Sequence, residues 1–318
     1  MVNRTLVQIG ALTVVERLEA RSHTAEALIR GSRGEYVGAV ATDESGLIDR
    51  LAFTPYLAAA TSWRRLDSRL HTPSPQVGFA AAQITSGGGC RVVHAVDANR
   101  PRPLGSAFKL YVLSALGQAI ADHRARWNER LRIRDAWKSL PSGVPQDDPA
   151  GTALTLRTFA DLMISINTAA DHLLHDLGRV AVERQLQRFG NRHAQLDVPF
   201  PTTRELFALK GDDFPAAADH YLSLGPAARR LALSDLDRIP LGSVSSWTTP
   251  RDIDSIEWFA SPSDICRAYA GLAREERRPV WDRSVTGSSP TSSRSRSGAF
   301  GCAPGPCMRL WTVCARTG

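Results

Sequence analysis

Apolar and polar positions in the first part of the chain predict small, strand-rich pieces. Over residues 34–53, apolar side chains occupy two arms on either side of a polar turn at 43–46, which is the pattern of a β-hairpin. Residues 14–28 carry a pattern typical of a short helix. Because one hairpin and one helix bury little surface, residues 1–56 are predicted to be only part of a module.

A second group of elements begins after residue 57. A helical pattern over 58–70 precedes two predicted strands, 77–84 and 91–96, which are joined by a glycine-rich turn. Residues 106–121 are then predicted to form a long helix that is apolar on most sides, so we expect it to be buried. The apolar positions of this helix include Leu110, Val112, Leu113, Leu116 and Ile120.

The middle of the chain is mostly helical by the same criterion. Helices are predicted on both sides of the turn 165–167, where Asn167 or Thr168 is a candidate cap for the second helix. Further on, 261–264 places a serine, a proline and an acid before an apolar helix over 265–272. That order of residues is typical of a helix start.

Ser106 and Lys109 give the clearest chemical signal, at the start of the long helix. A serine hydroxyl needs a base within hydrogen-bond reach, and a lysine three residues later lies on the same helix face. The chain has only three lysines, Lys109, Lys138 and Lys210, among 39 Lys and Arg residues. Arginine does not lose its proton and cannot replace a lysine base. The pair therefore indicates an activated serine.

Composition limits the alternatives. The chain has 318 residues, 43% hydrophobic and 22% charged, as expected for a globular protein of one large or two modest domains. Its net charge of +7 comes from scattered arginines without a basic run, which does not favour nucleic-acid binding. No stretch reaches the roughly 18 apolar residues of a membrane helix, and residues 1–13 lack the features of an export signal. We therefore expect a cytoplasmic chain.

The five cysteines do not suggest a metal site. Cys90 and Cys266 are isolated in the sequence, and the other three lie near its end. Residues 284–318 also hold many serines and no acid, without a helical or strand period. We interpret Cys302 and Cys307 as incidental rather than as zinc ligands.

Two short motifs carry a resemblance to a known family. Residues 106–109 (SAFK) and 165–167 (SIN), 59 positions apart, resemble the SxxK and SDN motifs of class A β-lactamases and their penicillin-binding relatives. The resemblance covers roughly residues 58–281. It implies an α+β fold of the β-lactamase/transpeptidase type, with an all-helical subdomain and a helix-covered antiparallel sheet that is incomplete at the C-terminus.

A closer similarity, carried by 105–113, 138–143 and 199–210, is to a subgroup in which this domain follows a steroid-isomerase-like (NTF2-like) domain. Members include actinobacterial lipoproteins and a protein of clavam biosynthesis, and intact relatives are often exported or lipid-anchored. In that light the hairpin over 34–53 would end an NTF2-like sheet that is otherwise missing upstream.

The resemblance gives a three-part layout. Residues 1–56 would be a partial NTF2-like module and 57–282 a β-lactamase-like serine hydrolase domain, followed by an aberrant or disordered tail over 283–318. We interpret the change of composition as a slip of the coding frame near Arg283, which replaces the last strands and helix. Their loss would exceed the roughly 5 to 15 kcal/mol by which domains are stable. Resequencing that found an intact frame with the same protein end would contradict the slip.

The resemblance also implies roles for individual residues. Ser106 would be the acyl-forming nucleophile and Lys109 its base, with the pKa of the lysine lowered by burial. Ser165 would relay the proton to the leaving nitrogen, and Asn167 would contact the substrate amide. The N–H of Ser106, at the helix N-terminus, would supply half of an oxyanion hole. Ser142 is a candidate substrate-binding residue, although its Pro-Ser-Gly loop also suits an ordinary turn.

Departures from the family pattern bear on activity. Ile166 replaces the aspartate of SDN, and Thr203 and Arg204 leave no acid at the omega-loop position where class A enzymes activate the deacylating water. Glu205 is the nearest candidate acid. No lysine follows Lys210, so the KTG-type strand that forms the opposite wall is not found. An acyl-enzyme would then persist, and slow turnover is expected.

Simpler interpretations exist for several residues. The serine–lysine pair could be a helix cap and a solvated side chain. His172 and His175 have a spacing that a metal site can use, but without a third ligand we interpret them as ordinary helix-surface histidines. Asp254 and Glu257 are interpreted as helix-surface or capping acids.

The sequence thus predicts serine acyl transfer on a β-lactam or a related amide or ester, a chemistry that requires no cofactor or metal. The expected partner is a small-molecule substrate. Two alternatives stay open: a catalytically inactive pseudoenzyme, and an esterase-like or clavam-biosynthetic protein. The sequence does not determine the substrate or the oligomeric state.

Overall fold

The computed structural model describes residues 11–32, 34–56, 60–72, 74–140, 145–211, 215–244 and 251–276, and the backbone of 308–313. The chain divides into two compact units, Met1–Leu66 and Asp67–Gly318. The described strands are β1 Thr13–Ala20, β2 Thr24–Gly31, β3 Gly34–Thr42, β4 Ile48–Pro55, β5 Gly78–Ile84, β6 Cys90–Val96, β7 Arg102–Pro103, β8 Arg130–Arg132, β9 Ala153–Thr155, β10 Phe259–Ala260 and β11 Met308–Val313. The described α-helices are α1 Trp63–His71, α2 Lys109–Ala121, α3 Leu156–Leu162, α4 Asn167–Leu177, α5 Arg179–Arg188, α6 Thr203–Lys210, α7 Pro215–Ser223, α8 Pro226–Leu236 and α9 Pro262–Glu276.

The first unit is a four-stranded antiparallel meander in the order β1-β2-β3-β4. The predicted hairpin is confirmed as β3 and β4. Its turn is fixed by Asp43, whose carboxylate accepts hydrogen bonds from the N–H groups of Ser45 and Leu47, both at 2.9 Å. Gly46 has a φ of +83°, which glycine adopts without strain.

The helix predicted over 14–28 is wrong, because this segment forms β1, a tight turn and β2. The two strands pair from Thr13↔Arg30 to Ala20↔Ala25, and β2 also pairs along its length with β3. Alanine, glutamate and leucine in β2 favour helix only weakly as isolated residues, and pairing on both edges of the strand outweighs that preference.

The second unit contains a three-stranded antiparallel sheet, β11-β5-β6, in its described residues. The strands predicted at 77–84 and 91–96 are confirmed as β5 and β6. The segment interpreted as an aberrant tail nevertheless contributes β11, which pairs with β5 from Met308↔Gln83 to Val313↔Gly78. An open strand edge offers unpaired N–H and C=O groups, and β11 satisfies them on one side of β5.

The predicted buried helix is confirmed as α2, which packs against α4, α5 and α9. Ten of its 13 residues are buried. It begins at Lys109 because Gly105–Phe108 forms a 3-10 turn ahead of it. Phe108, at the junction, stacks on Trp258 with ring centroids 3.9 Å apart and an interplanar angle of 19°.

Helix starts were predicted with mixed success. The start of α9 is confirmed: Asp264 N–H donates to Ser261 Oγ at 3.2 Å, and Ser261 N–H donates to Asp264 Oδ2 at 2.8 Å. At α4 the cap prediction is wrong, because Ile166 occupies the N-cap position and makes no side-chain cap bond. Asn167 and Thr168 lie inside the helix and bond to another segment, as described below.

Cys90 of β6 and Cys266 of α9 form a disulfide across 176 residues. These two cysteines, isolated in the sequence, are thus joined in the fold. Disulfides persist mainly in oxidising compartments. Within the described ranges, none of the helices combines the length and apolar character needed to cross a bilayer.

Candidate active site

Ser106 lies in the exposed 3-10 turn that precedes α2. The segment before it is fixed in two ways: β7 pairs with β10, and Leu104 N–H donates to the carbonyl oxygen of Trp258 at 2.8 Å. Gly105 then turns the chain with a φ of +50°. These contacts present the hydroxyl-bearing turn at the surface, directly before a buried helix.

Lys109 is the first residue of α2, and only 3% of it is exposed. Burial lowers its pKa from 10.5 to about 8, while the charge of Asp171 acts in the opposite direction. Water solvates the ammonium form better than the apolar interior does, so desolvation favours the neutral amine. The amine can therefore accept a proton close to neutral pH.

Ser165 and Asn167 lie at the junction of α3 and α4. Ser165 is exposed, and its N–H donates to Leu162 O at 3.1 Å. Asn167 is half-buried, and its Nδ2 donates to Leu140 O at 2.7 Å. The junction is thus tied to the segment that ends at Leu140.

Thr168 strengthens the same tie from the buried side of α4. Its Oγ1 accepts a hydrogen bond from Ser139 N at 2.9 Å and donates to Ser139 O at 3.2 Å. Two residues beyond Leu140 lies Ser142, which falls within 141–144, outside the described residues. The role predicted for Ser142 stays a prediction.

Helices α2 and α4 pack against each other, and the charge of Asp171 on α4 acts on Lys109 at the start of α2. Within the described residues, no hydrogen bond joins the Ser106 hydroxyl to Lys109 or to Ser165. Catalytic hydrogen bonds are often long before substrate binds and tighten in the complex. The arrangement places an exposed hydroxyl three residues before a buried amine.

Asp171 is a residue whose importance the sequence did not reveal. It is fully buried and accepts hydrogen bonds from Thr203 N at 2.8 Å, Thr203 Oγ1 at 2.8 Å and Arg204 N at 2.9 Å. It thereby fixes the start of α6 against α4. Burial outweighs these bonds and raises the pKa of Asp171 to about 7. The available signal was its position four residues after Asn167, on the same helix face.

Arg204, which directly precedes the candidate acid Glu205, makes contacts that stabilise the fold. Its guanidinium donates to the carbonyl oxygens of Asp135 at 3.2 Å, Lys138 at 2.9 Å and Ile239. One side chain therefore joins α6 to two other segments. These contacts hold the chain directly before Ser139, which in turn contacts α4.

Glu205 is completely buried, and both of its carboxylate oxygens are engaged. Arg179 donates to Oε1 at 2.6 Å and to Oε2 at 2.9 Å, and Thr202 N–H donates to Oε2 at 2.6 Å. The Glu205 N–H in turn donates to Thr202 Oγ1 at 3.1 Å, which completes a capping box at the start of α6. The observed contacts are those of a helix cap and a buried ion pair.

His172 and His175 are buried or nearly so, and the interpretation of them as surface residues is wrong for His172. His172 Nδ1 donates to Thr168 O at 2.7 Å, and its Nε2 accepts from Arg134 N at 3.0 Å, so both nitrogens are occupied. His175 stacks on Trp137 at 4.9 Å. Burial lowers the pKa of each histidine to about 4, which keeps both neutral at pH 7.

Glu257 and Asp254 do not lie on a helix, contrary to the sequence interpretation. The Glu257 carboxylate accepts a hydrogen bond from Lys210 Nζ at 2.7 Å, and this lysine is fully buried. Lys210 also donates to Ile256 O at 3.2 Å. The pair connects the end of α6 to the segment before β10.

The profile of the beta-lactamase enzyme family matches residues 64–253 of the chain. A β-lactamase from Sphaerobacter thermophilus is similar at 18% identity over 69% of this chain and 72% of that one, with a TM-score of 0.40. PBP-A is similar at 21% identity over 53% and 69%, with a TM-score of 0.36. A β-lactamase from Chitinophaga pinensis is similar at 19% identity over 50% and 67%, with a TM-score of 0.35. No curated protein matches the chain.

Proposed function

Since the chain belongs to the beta-lactamase enzyme family, we propose that it is a serine hydrolase acylated at Ser106 by a β-lactam or a related amide or ester. Lys109 takes the proton of the serine hydroxyl as the hydroxyl attacks the carbonyl carbon. Ser165 passes a proton to the leaving nitrogen, and Asn167 and Ser142 contact the substrate. The N–H of Ser106 stabilises the oxyanion.

The observation that carries the proposal is the burial of Lys109 directly behind the exposed turn of Ser106. A lysine in water is protonated at neutral pH and cannot act as a base. With its pKa lowered to about 8, a useful fraction of Lys109 is neutral. A lowered lysine pKa assists acylation, whereas a residue that only follows a helix cap would not require one.

Hydrolysis of the acyl-enzyme is proposed to be slow. A water-activating carboxylate needs a free oxygen that faces the acyl group, and Glu205 uses both oxygens on Arg179 and Thr202. These contacts support a scaffold role for Glu205 instead of the catalytic role considered from the sequence. The acyl-enzyme then accumulates and can be observed directly.

Intact-mass spectrometry after exposure to penicillin tests the proposal. We expect the wild type to gain the mass of one penicillin, and Ser106→Ala to gain none. Ser234→Ala, which changes an exposed serine on α8, is the matched control and should label like the wild type. Labelling of folded Ser106→Ala at the wild-type level would contradict the assignment of the nucleophile.

The second candidate is a catalytically silent member of the family. It is favoured by the lack of a hydrogen bond between the described Ser106 and Lys109 side chains, and by the absence of lysine after Lys210 in the sequence. A cooperative thermal melt with no labelling by penicillin and no hydrolysis of a p-nitrophenyl ester would support it. Ester hydrolysis without penicillin labelling would instead favour an esterase-like or clavam-biosynthetic role.

We also propose that the first unit belongs to the NTF2-like subgroup suggested by the sequence. The antiparallel meander of β1 to β4, which precedes the hydrolase unit, supports this proposal. An experimental structure in which these strands do not superpose on an NTF2-like sheet would contradict it.

A further inference from the structure

A groove of about 650 Å³ lies between β6, the glycine turn before it and α9. Three arginines line it: Arg192, which follows α5, and Arg267 and Arg274 of α9. We call it the arginine groove. Its volume falls in the range of small-molecule sites, roughly 300–1,000 Å³. None of the residues proposed for acyl transfer lines it.

Two of these guanidinium groups are held in place by backbone carbonyl groups. Arg267 Nε donates to Gly190 O at 3.0 Å, and Arg274 donates to Gly88 O. Each guanidinium has five N–H donors, so these bonds fix the position of the group and leave other donors available. A held guanidinium loses less conformational entropy when it binds an anion.

The charges around the groove do not cancel within the described residues. Arg267 pairs with Oδ1 of the buried Asp264 carboxylate, and the same oxygen accepts a hydrogen bond from the backbone N–H of Arg192 at 3.0 Å. Glu275 is buried and pairs with an arginine of α5. The side chains of Arg192 and Arg274 have no carboxylate partner among the described ion pairs, and no acid lines the groove. Two positive charges therefore remain at this surface.

The rest of the wall combines small apolar side chains with the polar side chains of Asn99 and Ser263. The apolar lining residues are Val92, Ala95, Ala98, Phe189 and Ala270. A fully hydrated inorganic ion would leave this surface in contact with water. A ligand with an apolar body and an anionic group would use both parts of the groove.

We propose that the arginine groove binds a small organic phosphate, whose phosphate group contacts Arg192 and Arg274 and whose apolar part lies against the exposed side chains of Val92 and Ala95. A phosphate monoester carries a charge of about −1.5 to −2 at pH 7, which matches two uncompensated guanidinium groups. Its oxygens also accept the paired N–H bonds that a planar guanidinium donates. Binding here is independent of acylation at Ser106.

Calorimetric titration of the full chain with phenyl phosphate tests the proposal. We expect phenyl phosphate to bind more tightly than inorganic phosphate, and phenol not to bind. Arg192→Gln and Arg274→Gln should each weaken phenyl phosphate binding by about tenfold. Arg184→Gln, an exposed arginine on the outer face of α5, should bind like the wild type. No binding by the wild type, or equal binding by all three variants, would overturn the proposal.

The two variants differ in structural risk. Only the backbone N–H of Arg192 contacts Asp264, so Arg192→Gln should keep the thermal stability of the wild type. If Arg274→Gln is unstable because it loses the bond to Gly88, Arg192→Gln alone decides the outcome. Ser106→Ala should bind phenyl phosphate normally, so failure of the proposed acylation does not affect this test.

Discussion

Lys109 and Glu205 are both buried ionisable side chains of the second unit, but their surroundings differ. Lys109 lies on an apolar helix. The charge of Asp171 raises its pKa, but Lys109 forms no ion pair among the described residues. Glu205 accepts three hydrogen bonds, two of them from Arg179. Burial without a close partner shifts the pKa of an ionisable group toward neutral pH. A buried group with a complete set of partners instead keeps its charge and stabilises the fold.

Removal of Arg179 should have the largest effect on stability, because it takes away the partner that distinguishes Glu205 from Lys109. Arg179→Ala leaves Glu205 as a buried charge with one backbone partner, so we expect a loss of about 3–5 kcal/mol of unfolding free energy. Urea denaturation measures it. The control is Arg184→Ala on the same helix, which is exposed and should change stability by about 0.5 kcal/mol or less. Equal effects of the two variants would show that Glu205 is not held by Arg179.

Asp171→Asn tests how the surroundings of Lys109 set its pKa. The negative charge of Asp171 raises the pKa of Lys109, so its removal should lower that pKa further below about 8. Only the neutral amine accepts a proton, and the pH of half-maximal acylation should therefore fall, by up to about one pH unit. The measurement is the rate of penicillin labelling against pH.

The same variant also carries a structural cost, which needs a control. The amide keeps one acceptor for the N–H groups of α6 and loses the other, so stability should fall by about 1–3 kcal/mol. Asp235→Asn, on the exposed surface of α8, should leave the pH profile unchanged. A pH profile for Asp171→Asn that coincides with that of the wild type would show that the charge of Asp171 does not affect the pKa of Lys109.

His175→Phe should have the smallest effect on stability. It tests a buried side chain that is neutral at pH 7. The folded-state pKa of His175, about 4, lies below the unfolded value of 6.5, so its contribution to stability is lost as pH falls from 6.5 toward 4. Phenylalanine keeps a ring next to Trp137 and does not titrate. The thermal midpoint of the variant should therefore fall less steeply over this range.

Groups that do not contact His175 titrate in both proteins and cancel in the difference between them, whereas Asp237 Oδ2 lies 3.9 Å from His175 Nε2 and changes its surroundings in the variant. Asp171 and Asp237 have pKa values raised to about 7, so their contribution to stability is lost as pH rises from 3.8 through 7. His220→Gln, on the exposed face of α7, should keep the wild-type slope. Equal slopes for His175→Phe and the wild type would mean that His175 protonates in the folded protein.

Local patterns in the sequence predicted the parts of the fold that depend on local chemistry. The apolar surface of α2, the glycine turn between β5 and β6, and the Ser261–Asp264 helix start follow from periodicity and hydrogen bonding within a few residues. The burial of Lys109 also follows, because it lies on that apolar helix.

Long-range contacts could not be predicted in the same way. The disulfide joins cysteines 176 residues apart, and the bonds from Asp171 to Thr203 and Arg204 cross between helices. Residues 14–20 became a strand because they pair with β2, and residues 24–28 because they pair with both β1 and β3, which lies outside the window that a helical pattern uses. In each case the deciding interaction is tertiary, and a single sequence does not encode it as a local motif.

The rate of penicillin labelling across pH 6–10 tests the central claim most directly, when it is compared between the wild type and Lys109→Ala. We predict that the wild-type rate rises with pH and reaches half its maximum near 8, where Lys109 loses its proton. Lys109→Ala should be labelled far more slowly at every pH. A wild-type rate that is independent of pH, or equal labelling of folded Lys109→Ala, would contradict the role of Lys109 as the base.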